Sequence, residues 1–350
     1  MSDNSLIEWC TATWNFLIGC TKKSAGCMHC YAIRQAWRMM HNPNPKIAKK
    51  FEGTVHKDSK GELNWTGRIN FDGDSLALPL NWRLPRRIFV NSLSDLFHPN
   101  VKDEWIAAAF GVMMATQHHT YQILTKHPER AVEWFKWIDS HKESANSFYH
   151  PREMCEEAAL VHVEACHLQA DMSDAWPLPN VHILTSVEDQ PSANERISWL
   201  LRIPAVVRGV SAEPLLGPID LARAGLEIRM TDLDTPDEVN LDWVVAGGES
   251  GPNARPMHPD WARSLRDQCV AAGVPFFFKQ HGDWIGSDQQ LADRSDPVLS
   301  PSNIHHRWEQ RKPSGPPHFG MNYSIRVGKK AAGRLLDGQE WNEYPREEVS

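Results

Sequence analysis

Between residues 13 and 280 the chain repeats one pattern, a short apolar run closing on polar residues and then a stretch with apolar positions three and four apart. The runs lie at 13–19, 85–91, 121–126, 181–188, 205–213, 241–250 and 274–280. The helical stretches fall at 31–40, 102–116, 128–137, 193–201 and 259–272. Short apolar strands alternating with helices are the pattern of a parallel sheet buried on both faces. Seven such strands predict a complete or partly open parallel (β/α) barrel with helical and loop insertions. Residues 1–285 then form a single α/β barrel domain, interrupted by a helical insertion at about 140–178. The polar stretch 41–73 reads as connecting structure with little core. Residues 286–320, rich in Pro, Ser and Asp, read as a long loop or lid, and 321–350 as a C-terminal element packed on the barrel.

The polar residues gather where the strands end. Asn91, Ser92, Ser94 and Asp95 follow the second strand, Lys126 the third, Ser186 and Glu188 the fourth. Ser211 and Glu213 close the fifth, Gly247-Gly248-Glu249 the sixth, and Lys279 with Gln280 the seventh. In a parallel barrel this rim is the active-site face. Any one of these residues also reads as a cap or turn residue, and only the set points to an enzyme. Gly247 and Gly248 would let a ligand phosphate or carboxylate approach the backbone, yet the stretch has neither the Lys-Ser/Thr of a nucleotide-triphosphate loop nor a dinucleotide fingerprint.

The same rim receives a cysteine loop. Cys20, Cys27 and Cys30 stand in a C-x6-C-x2-C array directly after the first strand. Gly19 and Gly26 supply backbone freedom, and the helix predicted from Tyr31 places Cys30 at an N-terminus, where partial positive charge lowers a thiol pKa. Three thiols on a four-iron cluster leave one iron open, whereas a structural zinc ion takes four protein ligands, for which His29 or Cys10 is available. The loop alone accommodates cluster, zinc or free thiols. A second pair, His162 and Cys166, is spaced for one helical face, but without a partner motif it reads as part of an amphipathic insertion.

Composition narrows the picture little. The formal net charge of −7 argues against non-specific nucleic-acid binding and leaves a local basic groove open. Nothing resembles a signal peptide or a bilayer-spanning run, so a cytoplasmic protein without membrane contact is expected. Seven cysteines, three in one loop, suit a reducing compartment and a metal site.

Several stretches together resemble the phage-associated three-Cys-motif family: Thr13-Trp14-Asn15 with Gly19-Cys20, Gly26-Cys27-x-x-Cys30-Tyr31-Ala32, Phe89-Val90-Asn91-Ser92-x-Ser94-Asp95-Leu96-Phe97-His98 and Leu124-Thr125-Lys126. Ser186-Val187-Glu188, Glu213-Pro214-Leu215-Leu216-Gly217, Gly247 to Gly251 and Phe277-Phe278-Lys279-Gln280 continue the likeness. That family, of unknown function, is described as radical-SAM-like. The resemblance implies a radical SAM / TIM-like barrel in which Cys20, Cys27 and Cys30 hold a [4Fe-4S] cluster. S-adenosylmethionine on the open iron would be reductively cleaved to a 5′-deoxyadenosyl radical that modifies an unknown substrate, nucleic acid among the candidates. The first gap is x6 where the common radical SAM loop has x3. Asn91, Ser92, Ser94 and Asp95 are then candidates for the methionine amino group, and Ser186, Glu188, Ser211 and Glu213 for the ribose and carboxylate. Gly247, Gly248 and Glu249 are further cofactor-binding candidates, although they follow a late strand where the Gly-Gly-Glu of radical SAM proteins follows an early one. Lys126, Glu188, Glu213 and Lys279 are the candidate catalytic residues, the lysines binding an anionic substrate or assisting proton transfer. A flavodoxin- or ferredoxin-type reductase would supply the electron, and a genomic-neighbour protein is a candidate partner, in a bacterial or phage-infected cell.

Two other readings stand beside this one. A zinc-stabilised α/β protein would bind nucleic acid or a phage partner through Trp14, Tyr31, Trp37, Arg34 and Arg38. A hydrolase would place Asp95, Glu188 and Glu213 around a divalent ion.

Overall fold

The computed structural model describes residues 5, 7–140, 151–164, 175–224, 240–286, 304–307 and 323–345. Seven strands form one parallel sheet: β1 (Ala12–Trp14), β2 (Arg87–Val90), β3 (Thr120–Thr125), β4 (Val181–Ser186), β5 (Val207–Ala212), β6 (Trp243–Gly247) and β7 (Phe276–Gln280). Their order in the sheet is their order in the chain. That is the connectivity of a partly open parallel barrel, in which each strand pairs with the next one made, rather than of a doubly wound sheet with a reversal point. The chain divides into two compact units, residues 1–186 with 196–209, and residues 187–195 with 210–350.

In the first unit the helices are α1 (Tyr31–Met40), α2 (Asp103–Met114), α3 (Pro128–Ser140), α4 (Pro151–Leu160) and, in part, α5 (Gln190–Leu200). Every residue of α2 from Ile106 to Met114 is buried. Helix α4, the described part of the 140–178 insertion, packs so closely on it that a Cβ on Gly111 would lie 2.2 Å from the carbonyl oxygen of Cys155. Tyr121 on β3 hydrogen-bonds Thr116 Oγ1 just past α2 at 2.6 Å, which sets the odd-numbered side chains of β3 toward the helices. Cys166 lies outside the described residues. His162 packs its ring on Phe71, 4.7 Å between centroids.

The stretch 41–73 differs from the expectation of core-poor connecting structure. Asn44 caps a short helix, Pro45–Phe51, by accepting from the Lys46 amide at 3.0 Å. Val55–Lys57 and Leu63–Trp65 then form an antiparallel hairpin. Phe51, Val55 and Trp65 join Ile18, Ala32, Ile33, Ala36 and Leu93 in a small separate core. The apolar residues are too far apart in sequence for periodicity to reveal this core. The first apolar run also divides: β1 ends at Trp14, and Leu17–Ile18 pairs antiparallel with Asn70–Phe71.

In the second unit α6 (Pro259–Ala272) lies between β6 and β7 and ends at Gly273, whose φ of +69° is the left-handed cap that favours glycine. The edge of β7 is covered by the C-terminal segment. The Phe278 amide donates to the Trp341 carbonyl at 2.9 Å, and the Phe276 amide to Glu343 Oε2 at 2.9 Å. Trp284–Gly286, Ile304–Arg307 and Tyr323–Arg326 make a small antiparallel sheet, so four residues of the stretch read as loop are a strand.

Candidate functional site

The cysteine loop leaves the C-terminal end of β1 and is held at its entry by backbone packing. The Gly19 amide donates to the Leu93 carbonyl at 3.2 Å. Gly19 has φ +113°, and a Cβ there would stand 2.0 Å from the Arg68 carbonyl oxygen, so only glycine fits. Gly26 needs no such freedom, because it sits inside a single 3₁₀ turn, Ala25–Cys27. Cys20 and Cys30 pack on the small core that includes Ile33 and Trp65.

Cys20, Cys27 and Cys30 are half-buried, whereas Cys10, Cys155 and Cys269 are buried. Burial pushes the Cys20 thiol well up, and the charges of Asp95, Cys30 and Cys27 push it further. Burial also raises Cys30; the amides of Ala32 and Ile33 at the start of α1 act the other way and do not overcome it. The expected lowering of Cys30 by the helix N-terminus is therefore reversed by desolvation. Cys27 Sγ accepts from the Lys23 amide at 3.5 Å. Among the described residues no group of three or more His, Cys, Asp and Glu side chains is gathered closely enough to hold a single metal ion. Cys10 is no fourth ligand to the loop: it precedes β1, at the other end of the strand, and its sulfur donates to Ser5 Oγ at 3.2 Å.

Three contacts tie the loop to the residues that follow β3. Lys23 Nζ reaches Glu129 Oε1 at 2.5 Å and His127 Nδ1 at 3.3 Å. Burial raises the Glu129 carboxyl, but its hydrogen bonds to His127 and Lys23 outweigh that and hold it down at about 2. Lys126 Nζ donates to Ser24 Oγ at 3.2 Å. Beside them the Asn100 amide donates to His98 Nδ1 at 3.1 Å, which leaves the proton on Nε2 to be given to Thr21 Oγ1 at 2.9 Å.

The turn after β2 is built from its own polar groups. Asn91, at φ +56°, accepts from the Leu17 amide at 3.2 Å through Oδ1. Ser92 Oγ donates to Asn15 Oδ1 at 3.1 Å. Asp95 Oδ1 accepts from Thr125 Oγ1 at 2.7 Å and the Phe97 amide at 3.0 Å, and Oδ2 from the Lys126 amide at 2.8 Å. A buried carboxylate with three donors is a brace between the β2 turn and the end of β3. Asn91 Nδ2 and Ser94 Oγ, by contrast, are buried without a partner. Ser186, at the end of β4, is buried, and its carbonyl accepts from Arg196 Nη1 at 2.6 Å.

The second unit gathers its own polar set. Lys279 Nζ lies 2.7 Å from Glu213 Oε2, and Gln280 Nε2 donates to Glu213 Oε1 at 3.3 Å. Ser211 Oγ and Gln280 Oε1 are buried without partners. Gly247 packs on this pair, and a Cβ on Gly248 would fall 2.1 Å from the His281 carbonyl oxygen. The Glu249 carboxylate is spent on Arg255, with Nη2 at 2.6 Å, Nε at 2.8 Å and the amide at 2.8 Å. Glu188 is buried, and its amide donates to Ser192 Oγ at 2.9 Å.

Sequence reasoning passed over Gln122 and His182. They face each other in register on β3 and β4, on the side of the sheet away from α2, together with Phe89. Gln122 is 1% exposed and His182 7%. Gln122 Oε1 and His182 Nδ1 have no hydrogen-bond partner, and burial lowers His182 to about 4. A polar residue in an apolar strand is the signal that could have found them.

Residues 4–345 match the model of a family described as a protein of unknown function. The chain belongs to the DUF5131 family. No curated protein and no solved structure matches it. Family membership spans both units, so the cysteine loop, the β2 turn and the Glu213–Lys279 pair all lie within the shared region. No helix among the described residues is long and apolar enough to cross a membrane.

Proposed function

We propose that this DUF5131 protein is a radical-SAM-like enzyme whose loop thiols bind a four-iron cluster. The carrying observation is the loop itself: three half-buried thiols, two of which, Cys27 and Cys30, lie close enough to Cys20 for their charges to push it up, seated at the C-terminal end of a strand in a seven-stranded parallel sheet. The donor set fits the group in number and chemistry, since each cysteine would serve a separate iron and three leave one iron open. When bound, the cluster with S-adenosylmethionine supplies one-electron cleavage to a 5′-deoxyadenosyl radical.

The chain's own residues position and shield. Cys20 and Cys30 back onto apolar side chains, which keeps water from that side of the loop. Asp95 fixes the Lys126 backbone, and Lys126 in turn holds Ser24, which lies between Cys20 and Cys27 in the loop. Asn91 Nδ2 and Ser94 Oγ are the groups of the β2 turn left to bind a polar part of the cofactor, in preference to Asp95, whose oxygens are taken. In the second unit Glu213 and Lys279 form an ion pair, the two groups proposed to meet a polar part of the substrate and assist proton transfer.

Anaerobic reconstitution with iron and sulfide, followed by EPR of the dithionite-reduced protein with and without S-adenosylmethionine, tests this reading beside Cys27→Ala. A reduced four-iron signal that shifts with the cofactor and disappears in the variant supports it. Stoichiometric zinc with no cluster signal refutes it.

A further inference from the structure

Residues 20–71 carry ten Lys or Arg against three Asp or Glu, an excess of seven positive charges in a chain whose formal net charge is −7. Two of the ten are neutralised, Lys23 by Glu129 and Lys50 by Asp72. The other eight have no carboxylate partner among the described residues. Lys22, Arg38, Lys46, Lys49, Lys57 and Lys60 are exposed. Unpaired like charges at this density repel one another and weaken the compact state, a cost that a polyanionic partner would offset.

The cations are interleaved with aromatic rings. Lys57 Nζ stands 5.2 Å over the Trp37 ring, whose other neighbour is His41 at 4.4 Å. Tyr31 is 49% exposed, and its hydroxyl donates to the Ser92 carbonyl at 3.0 Å, so the side chain is anchored at its tip while about half of it meets solvent. An acidic protein surface would be met by the cations alone and would leave this ring without a role. A strand with unstacked bases uses both, phosphates on the ammonium and guanidinium groups and a base on the ring.

We propose that residues 20–71 form a binding face for single-stranded nucleic acid, and that the strand passes Tyr31 directly beside Cys30. Under the reading of the loop as a reactive centre, this makes nucleic acid the substrate class. The binding itself does not depend on a metal in the loop, so it can fail or hold separately from the cluster.

The test is fluorescence anisotropy of the full chain with short labelled single-stranded DNA and RNA, with the matching duplex and with poly-glutamate as competitor. With five phosphate contacts, affinity should fall about a hundredfold between about 50 and 200 mM salt, from a slope of about −0.7 per contact. Lys46→Gln, Lys49→Gln, Lys57→Gln and Lys60→Gln combined should flatten that slope by about 2 to 3, and Tyr31→Ala should weaken binding about fivefold or more. Lys136→Gln with Lys330→Gln should change neither, and unaltered circular dichroism and melting exclude misfolding. Four outcomes overturn the inference: no binding at low salt, binding insensitive to the four-lysine variant, a preference for duplex with Tyr31→Ala silent, or displacement by poly-glutamate at equal charge concentration.

Discussion

Asp95→Asn separates a brace from a ligand-binding carboxylate. In the folded protein Asp95 accepts three hydrogen bonds, from Thr125 Oγ1, the Phe97 amide and the Lys126 amide. Asparagine can keep Oδ1 as acceptor for Thr125 and Phe97, but its Nδ2 would then face the Lys126 amide across 2.8 Å, donor against donor. The lost charge-assisted bond costs about 1.5–3 kcal/mol, and a buried amide left unsatisfied adds about 1–3 kcal/mol. A loss of about 3–5 kcal/mol follows. With a guanidinium slope of about 4 kcal/mol/M, the unfolding midpoint read by tryptophan fluorescence should fall by about 1 M. Thr125→Val should lose less, and the double variant should be less destabilised than the sum, because both changes break one network. If Asp95→Asn unfolds at the wild-type midpoint, the carboxylate is not the brace described, and its assignment to a ligand ammonium regains force.

Three further outcomes follow from the same geometry. Gly19→Ala should cost about 3 kcal/mol or more, from a positive φ and an overlap with the Arg68 carbonyl, and should speed alkylation of Cys20 by iodoacetamide; unchanged stability would show that the loop entry can shift. Because the folded Glu129 carboxyl is held at about 2, below its unfolded value, its contribution is complete above about pH 4.5 and is lost as pH falls toward 2. Acid unfolding of Glu129→Gln should therefore lose steepness in that window, and an unaltered acid limb would remove the Lys23–Glu129 contact from the account. Gln122→Leu should leave melting unchanged or raise it, because leucine removes a buried carbonyl oxygen that has no partner; a large fall would mean that Gln122 is hydrogen-bonded in solution.

How much of this was legible in the sequence depends on the range of the interactions. The sheet strands and α1 were readable because local periodicity and local turn residues define them, and the helix 259–272 was marked by His258, Pro259 and Gly273 at its ends. The seven-strand parallel sheet follows from the alternation of these elements. The small core under the cysteine loop was not readable, since Ile18, Ala36, Phe51, Trp65 and Leu93 meet only once the chain has doubled back twice. Nor could residue type alone sort the rim. Asp95 and Glu249 carry the charge expected of ligand-binding groups, and both are consumed by neighbours, Asp95 across thirty positions by Thr125 and Glu249 six positions on by Arg255. Asn91 and Ser94, weaker candidates by chemistry, keep unpartnered atoms, as do Ser211 and Gln280.

The connection between β1 and β2 is where this chain departs most from a plain strand–helix repeat. It runs for 72 residues, from 15 to 86, where a crossover between parallel strands needs about a dozen. The surplus does three jobs that a single crossover helix could not. It carries the thiols, it builds an apolar backing for Cys20 and Cys30, and it concentrates unpaired positive charge within a molecule that is acidic as a whole. These properties reinforce one another physically, because a field of cations next to the loop draws an anionic partner to the place where the thiols sit. A structural zinc loop would need only the backing, and a passive anion-binding surface only the charge. The coexistence of all three in one inserted connection is what the proposed reactive centre would need if its substrate is a polyanion.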